Sequence, residues 1–399
     1  MIKNKNISTN CVHADYKILP QGRHFYAPSI LDGSTVIFDK YEDFISSAID
    51  ENTADLHKIT NTLQNYGRGG NETTLCVEQV IASFENGDYC KILPTGLAAI
   101  RVALMAFITH KSHILVTDGI YHPVKVLLDH LIAKFGITVT YFDPLLSEDE
   151  VTKLVQPNTD VIYCEVPATR FFEVANIEAI VNVAKKIGAV SICDNSYATW
   201  INFKPLDNGF DVSCTSLTKY AAGHSDMLAG SVCVKEKHFR QIFAVLDTFG
   251  DHVAADNSAK LLRGIRTMDL RMNHAVKTGL EFIEYLKTNK KVSKIYHPSL
   301  TDHVGHQNFI KHFINAPSLL SIALDKIYTQ EELSKIYGRF KLFGMGYSYG
   351  GSESLVVPLP VKNIREFSKN QPSPNSSMRL YIGLENIDDL IADFENAIL

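Results

Sequence analysis

Asp160-Val161-Ile162-Tyr163-Cys164-Glu165-Val166, Ile177-Glu178-Ala179-Ile180-Val181-Asn182-Val183-Ala184-Lys185-Lys186 and Ala189-Val190-Ser191-Ile192-Cys193 are the three runs that decide the fold. The first and last are short and apolar, as strands buried on both faces are. The middle run places apolar residues at helical spacing. Strand, helix and strand in succession predict two parallel strands joined by a crossover helix. The same order stands just upstream, with Ile114 to Thr117 as strand, Pro123 to Phe135 as helix, Gly136 as a stop and Ile137 to Phe142 as strand. Two such units predict an α/β chain whose mostly parallel sheet is covered on both faces. In such sheets ligands lie beyond the carboxyl ends of strands, so residues just after strands are where function is read.

Outward from this centre the text changes. Residues 1–65 read as a polar, irregular arm broken by Pro20, Pro28 and Gly33, with one strand-like run, Ser34 to Phe38. Thr73 to Phe84 is helical and stops before Asn86-Gly87. Residues 66–255 form one predicted domain and 256–399 a smaller α+β one. The second opens on a long helix or helix pair, Asp256 to Leu286. Strands are expected at Ser318 to Leu324 and Arg379 to Ile382, helices at Glu331 to Tyr337 and Ile387 to Ile398, and a polar loop at Pro372 to Ser377.

Composition narrows the function. In 399 residues, 45% are hydrophobic and 21% charged, with a net charge of −5. That balance is ordinary for a globular chain and lacks the basic surplus of a nucleic-acid binder. Met1 to Thr9 has no apolar signal core, and no run approaches the roughly 20 apolar residues that span a bilayer. The seven cysteines are scattered, several of them in apolar runs, as reduced core residues of a cytoplasmic protein would be. Neither they nor the fifteen histidines show metal-ligand spacing, so no metal is expected.

Four features sit where a ligand would lie. Leu93-Pro94-Thr95-Gly96-Leu97-Ala98-Ala99 sets a glycine turn at the start of a small-residue helix, where free N–H groups favour an anion. Ile192-Cys193-Asp194-Asn195 ends a buried strand on an acid, either a turn cap or the partner of a buried cation. Ser216-Leu217-Thr218-Lys219-Tyr220-Ala221-Ala222-Gly223-His224-Ser225-Asp226 sets a lysine after apolar text and between hydroxyls. Taken alone it can be a surface lysine; partly desolvated, it has a lowered pKa and can form a Schiff base. Tyr66-Gly67-Arg68-Gly69-Gly70-Asn71 is either a hinge or an arginine that can approach a phosphate closely.

Together and in this order, the four blocks and Arg379-Leu380-Tyr381-Ile382-Gly383-Leu384-Glu385 resemble the cystathionine β-lyase branch of the Cys/Met-metabolism pyridoxal-phosphate enzymes, from Gly33 almost to the end of the chain. The resemblance implies PLP fold type I, the aspartate-aminotransferase-like architecture. It also implies pyridoxal 5'-phosphate, carried covalently on Lys219, which later moves the substrate Cα proton. Asp194 would keep the pyridine nitrogen protonated. Tyr121 would stack on the ring, and Gly96, Leu97, Ser216 and Thr218 would cradle the phosphate. Tyr66 and Arg68 would reach the neighbouring subunit's cofactor, Tyr66 also its substrate, which implies a homo-oligomer, a tetramer built as a dimer of dimers. Arg379 would bind the substrate carboxylate, while Ser348 would position lysine and substrate, with Tyr349 beside it.

The reaction implied is α,β-elimination of L-cystathionine to homocysteine, pyruvate and ammonia. Glu165-Val166-Pro167-Ala168-Thr169, without the Asn-Pro of γ-acting relatives, and Tyr347-Ser348-Tyr349 both resemble the β-lyase form. Four positions depart from it: Gly69 for a second arginine, Val126 for an acid, Ala259 for a tyrosine and Tyr349 for a tryptophan. Cysteine S-conjugate cleavage, cysteine desulfhydration and γ-synthase or γ-lyase activity are therefore alternatives. So, in another class, is a cofactor-binding regulator without essential turnover.

Overall fold

The computed structural model describes residues 5–14, 30–47, 66–359, 367 and 376–398. Most of the predicted arm thus lies outside the described residues, as does most of the predicted loop from Pro372. Within the arm, the expected irregular text contains two short helices, Ile7–Val12 and Tyr41–Ser47. Ser34 to Phe38 is not a strand. Among the described residues it makes one isolated bridge, Thr35 to Tyr66, and joins neither sheet.

From residue 72 onward the chain alternates. Helix α1 (Glu72–Glu85) leads to β1 (Tyr89–Leu93), α2 (Gly96–Met105), β2 (His113–Thr117), α3 (His122–Phe135) and β3 (Thr138–Phe142). Then come β4 (Thr159–Glu165), α4 (Ile177–Ile187), β5 (Val190–Asp194), β6 (Val212–Thr215), β7 (Gly230–Val234) and α5 (Glu236–Phe249). Local chemistry sets the helix ends. Asn176 accepts the Ala179 amide at the start of α4, and Gly188 stops it in a left-handed conformation at φ 74°.

The seven strands form one sheet in the order β1-β7-β6-β5-β4-β2-β3. Strands β2 to β6 pair in parallel, while β7 runs antiparallel to both β1 and β6. Alternation along β4 shows the two covered faces. Val161 and Tyr163 pack with Val102, Leu128 and Phe239 on one side. Ile162 and Cys164 pack with Ile81, Val183 and Leu261 on the other.

The predicted helix pair is α6 (Ala255–Arg266) and α7 (Met268–Thr288), separated at Thr267. A second sheet follows from β8 (Val292–Tyr296), β9 (Leu319–Leu324), β10 (Gly344–Met345), β11 (Leu355–Pro358) and β12 (Ser377–Tyr381), ordered β10-β11-β12-β9-β8. Apart from β10–β11 its pairs are antiparallel. Helix α8 (Gln330–Arg339) lies between β9 and β10, and α9 (Ile387–Ile398) closes the chain, packing Phe394 with Phe282 of α7 and Leu380 of β12. All seven cysteines are buried, and none forms a disulfide. No described helix is long and apolar enough to cross a membrane.

Candidate active site

A cavity of about 430 Å³ opens at the carboxyl ends of β4, β5 and β6, roofed by the 347–349 loop and β12. Ten of the twelve residues singled out from the sequence line it: Gly96, Leu97, Tyr121, Asp194, Ser216, Thr218, Lys219, Ser348, Tyr349 and Arg379. They come from distant parts of the chain because each stands just after a strand, on a helix start, or on the facing sheet.

Lys219 follows β6 in a tight turn in which its amide donates to the Ser216 carbonyl. Its Nζ donates to Ser348 Oγ at 2.8 Å and lies 5.0 Å from the Tyr349 ring centroid. Burial, then the Arg379 charge, lower its pKa to about 8, against an opposing pull from Asp194. Ser348 holds the acceptor hydroxyl at φ 116°, a conformation a side chain rarely adopts. Such strain costs on the order of 1–3 kcal/mol and persists where surrounding contacts enforce it. One of those contacts is Arg379 Nη2, which donates to the Ser348 carbonyl at 3.1 Å.

Asp194 ends β5, buried, and its Oδ1 accepts the Ser196 amide at 2.9 Å. Burial pushes its carboxyl pKa up, while the Ser196 contacts and Lys219 pull the other way. Thr95 caps α2 by accepting the Ala98 amide, which leaves the Gly96 and Leu97 N–H groups directed at the cavity end of the helix. A Cβ on Gly96 would stand 2.7 Å from Ser216 Cβ, so only glycine lets the two loops meet. Thr218 lines the cavity, but its hydroxyl donates to the Ala229 carbonyl and accepts the Ala229 amide, both at 3.0 Å.

Tyr66 and Arg68 lie elsewhere. Tyr66 is half exposed beside Thr35, and Arg68 binds Asp247 of α5 at 2.7 Å. Neither lines this chain's own cavity, nor do Gly69, Val126 and Ala259. Glu165, Thr169, Ser196 and Tyr347 line it and were not among the residues picked out as site residues. Ser196 had a legible signal, an Asp-x-Ser turn after a buried strand, and its Oγ accepts the Ser216 amide at 2.7 Å.

The family described as Cys/Met metabolism PLP-dependent enzyme matches residues 8–399. The chain belongs to that family. An L-alanine/L-glutamate racemase of Wolbachia pipientis is 33% identical over 93% of this chain and 92% of its own length. A cystathionine beta-lyase of Haemophilus influenzae is 32% identical over 98% and 97%. The crystal structure of a cystathionine gamma-lyase from Lactobacillus plantarum, complexed with L-serine, superposes with a TM-score of 0.86 at 26% identity, covering 98% of both chains. The fold is thus that of the pyridoxal-phosphate enzymes of this family, and carbon–sulfur lyase chemistry is the activity its family and its β-lyase relatives support.

The residues present fit the cofactor. The enzyme offers a helix start that glycine keeps open at Gly96, a buried acid at Asp194 and an amine of lowered pKa at Lys219. The buried Arg379 Nε, which has no hydrogen-bond partner among the described residues, fits a substrate carboxylate.

Proposed function

We propose that the enzyme is a carbon–sulfur β-lyase whose foremost substrate is L-cystathionine, split with water into homocysteine, pyruvate and ammonia. The observation that carries the reading is the Lys219–Ser348–Arg379 chain, which sets an amine of lowered pKa beside a guanidinium with an unused donor. Bound pyridoxal phosphate supplies an electron sink for the pair left when a Cα proton departs. Lys219 takes that proton near neutral pH and returns it to the departing sulfur. Ser348 holds the amine on line, and Arg379 grips the α-carboxylate through two donors. Asp194 holds a proton on the ring nitrogen, and Tyr121 packs on the ring face. The Gly96 and Leu97 amides with Ser216 would hold the phosphate, with Thr218 beside them on the cavity wall, its hydroxyl held by the Ala229 backbone. Tyr349 borders the substrate space. Tyr66 and Arg68 serve a neighbouring copy in a homo-oligomer, a dimer of dimers, with residues 66–255 as the cofactor unit and 256–399 as the second.

A second reading, amino-acid racemisation, is favoured by one feature. Lys219 and Arg379 are the cations among the described lining residues. Once they hold the cofactor and the α-carboxylate, the described lining offers no further cation to a distal group, which suits a short side chain.

Purified holoenzyme tests both. Pyruvate and thiol should appear together from cystathionine, cystine and S-alkylcysteines, and Lys219→Ala should abolish both. No pyruvate from any of them would remove the lyase reading, and α-ketobutyrate would move the cut to Cγ. D-alanine formed from L-alanine, read by chiral chromatography, would favour the second reading.

A further inference from the structure

Glu165 is the charged lining residue to which no role has been given. It ends β4 in register with Asp194 at the end of β5, so two carboxylates stand side by side at the mouth of the sheet. Its Oε2 accepts the Tyr121 amide at 2.6 Å, a charge-assisted bond of the short, strong kind. Tyr121 is the residue before α3, and its own side chain caps nothing there. The Glu165 carboxylate therefore takes over an N-terminal N–H and places negative charge at the positive end of a 14-residue helix. A second tie lies a few residues on. The Thr169 amide donates to the Gly119 carbonyl at 2.8 Å, across a glycine at φ 124°. The Gly119-Ile120-Tyr121 loop is thus pinned at both ends to the segment leaving β4. The Tyr121 side chain itself is half exposed and lines the cavity, so these backbone ties, with the Tyr121 carbonyl that accepts the Val124 amide at 2.9 Å, set where its ring root sits.

We propose that Glu165 is a positioning residue. Through the Tyr121 amide it sets the ring over the cofactor face. Burial, then the neighbouring Glu165 and Asp194 charges, raise the Tyr121 phenol above its usual value, so the ring stays a neutral phenol at working pH. The proposal rests on Tyr121 packing against bound pyridoxal phosphate.

The test uses the holoenzyme and reads visible circular dichroism of the bound cofactor and cofactor dissociation beside turnover, so it does not depend on which sulfur substrate is right. Glu165→Ala should change the dichroism, loosen the cofactor roughly tenfold and cut kcat by about ten- to a hundredfold, the scale of a displacement near 1 Å at a reacting group. Glu165→Gln keeps an oxygen acceptor for the Tyr121 amide and should recover most of each loss. In a Tyr121→Leu background, adding Glu165→Ala should cost less than about threefold more, because two residues acting through one contact are not additive. Full multiplication of the two effects would overturn the proposal. So would a Glu165→Ala enzyme with native dichroism, or a Glu165→Gln enzyme as impaired as Glu165→Ala at an unchanged melting temperature. Altered dichroism in Tyr121→Leu itself checks the premise separately, and its absence would count against the stacking role rather than against Glu165.

Discussion

Two residues carry opposite responses to pH. Lys219 holds its ammonium near 8 rather than 10.5 because burial and the Arg379 charge both disfavour it. Only the neutral amine can attack a carbonyl carbon, so capture of pyridoxal phosphate by the cofactor-free chain should accelerate with pH through a midpoint near 8. Stopped-flow absorbance across the neutral to alkaline range reads this, and a midpoint at the ordinary lysine value would contradict it. Asp194 pulls the lysine upward, so Asp194→Asn should move the midpoint lower. Glu85 of α1 is the counterpart in the scaffold. It is buried, accepts from Ser213 at 3.2 Å and Thr215 at 3.4 Å, and has one oxygen without a partner among the described residues. Burial raises its carboxyl from 4.5 to about 7. The folded chain thus binds this proton more tightly than the unfolded one, and the stability it lends is whole below about 4.5 and lost as pH rises through 7. The amount is roughly 3 kcal/mol at most. Glu85→Gln should raise the melting temperature relative to the native chain at pH above 7 and not below 5. A difference of constant size across pH would mean that the carboxyl does not titrate with folding.

At the scale of elements, the start of α2 is held open by an absent side chain. Alanine at Gly96 would press its Cβ to 2.7 Å from Ser216 Cβ and 2.8 Å from Ser216 Oγ, well inside van der Waals contact. Gly96→Ala should therefore fold normally but release the cofactor about tenfold more readily, near 1.4 kcal/mol, read by dialysis and fluorescence. Unchanged retention would place the phosphate elsewhere. This turn was legible because a Thr-Gly pair before small residues marks a helix start in any fold. The parallel core was legible for a similar local reason. Runs such as Val161 to Cys164 and Ile192-Cys193 are apolar on both faces, and the helix between them keeps its period. What escaped depends on distant partners. Strand β7 runs antiparallel between β6 and β1, and β1 lies about 140 residues upstream of it. Ser34 to Phe38 looks like a strand but meets no ladder. Glu165 reads as one more strand-end acid, and the amide it holds lies 44 residues upstream. Lys219 and Asp194 could be suspected one at a time from local text, and became a site only when the resemblance ordered them.

For the whole molecule, the unfinished business is at the cavity rim. The chain fills its own cavity with ten of the twelve expected residues and keeps Tyr66 and Arg68 away from it. Arg68 is held by Asp247, but that pair is substantially exposed, and exposed ion pairs contribute at most about 1 kcal/mol. A cofactor phosphate on a neighbouring copy could therefore claim Arg68 at small cost. A few residues on from the Thr35–Tyr66 bridge, Ile37 and Tyr41 stand 87% and 73% exposed, apolar surface that a second copy would cover. If each active site is completed by its neighbour, two inactive variants should repair one another. Lys219→Ala destroys the amine of its own site; Tyr66→Ala destroys what its chain lends across the interface. In a mixed dimer one site then receives both defects and the other neither. Refolding the two together in equal amounts makes half of the dimers mixed, so activity should return to about a quarter of the native level under random pairing. Recovery requires subunit exchange, which differently tagged chains report by co-purification. Exchange without recovered activity would show that Tyr66 acts within its own chain, and the neighbour would then be dispensable to the chemistry.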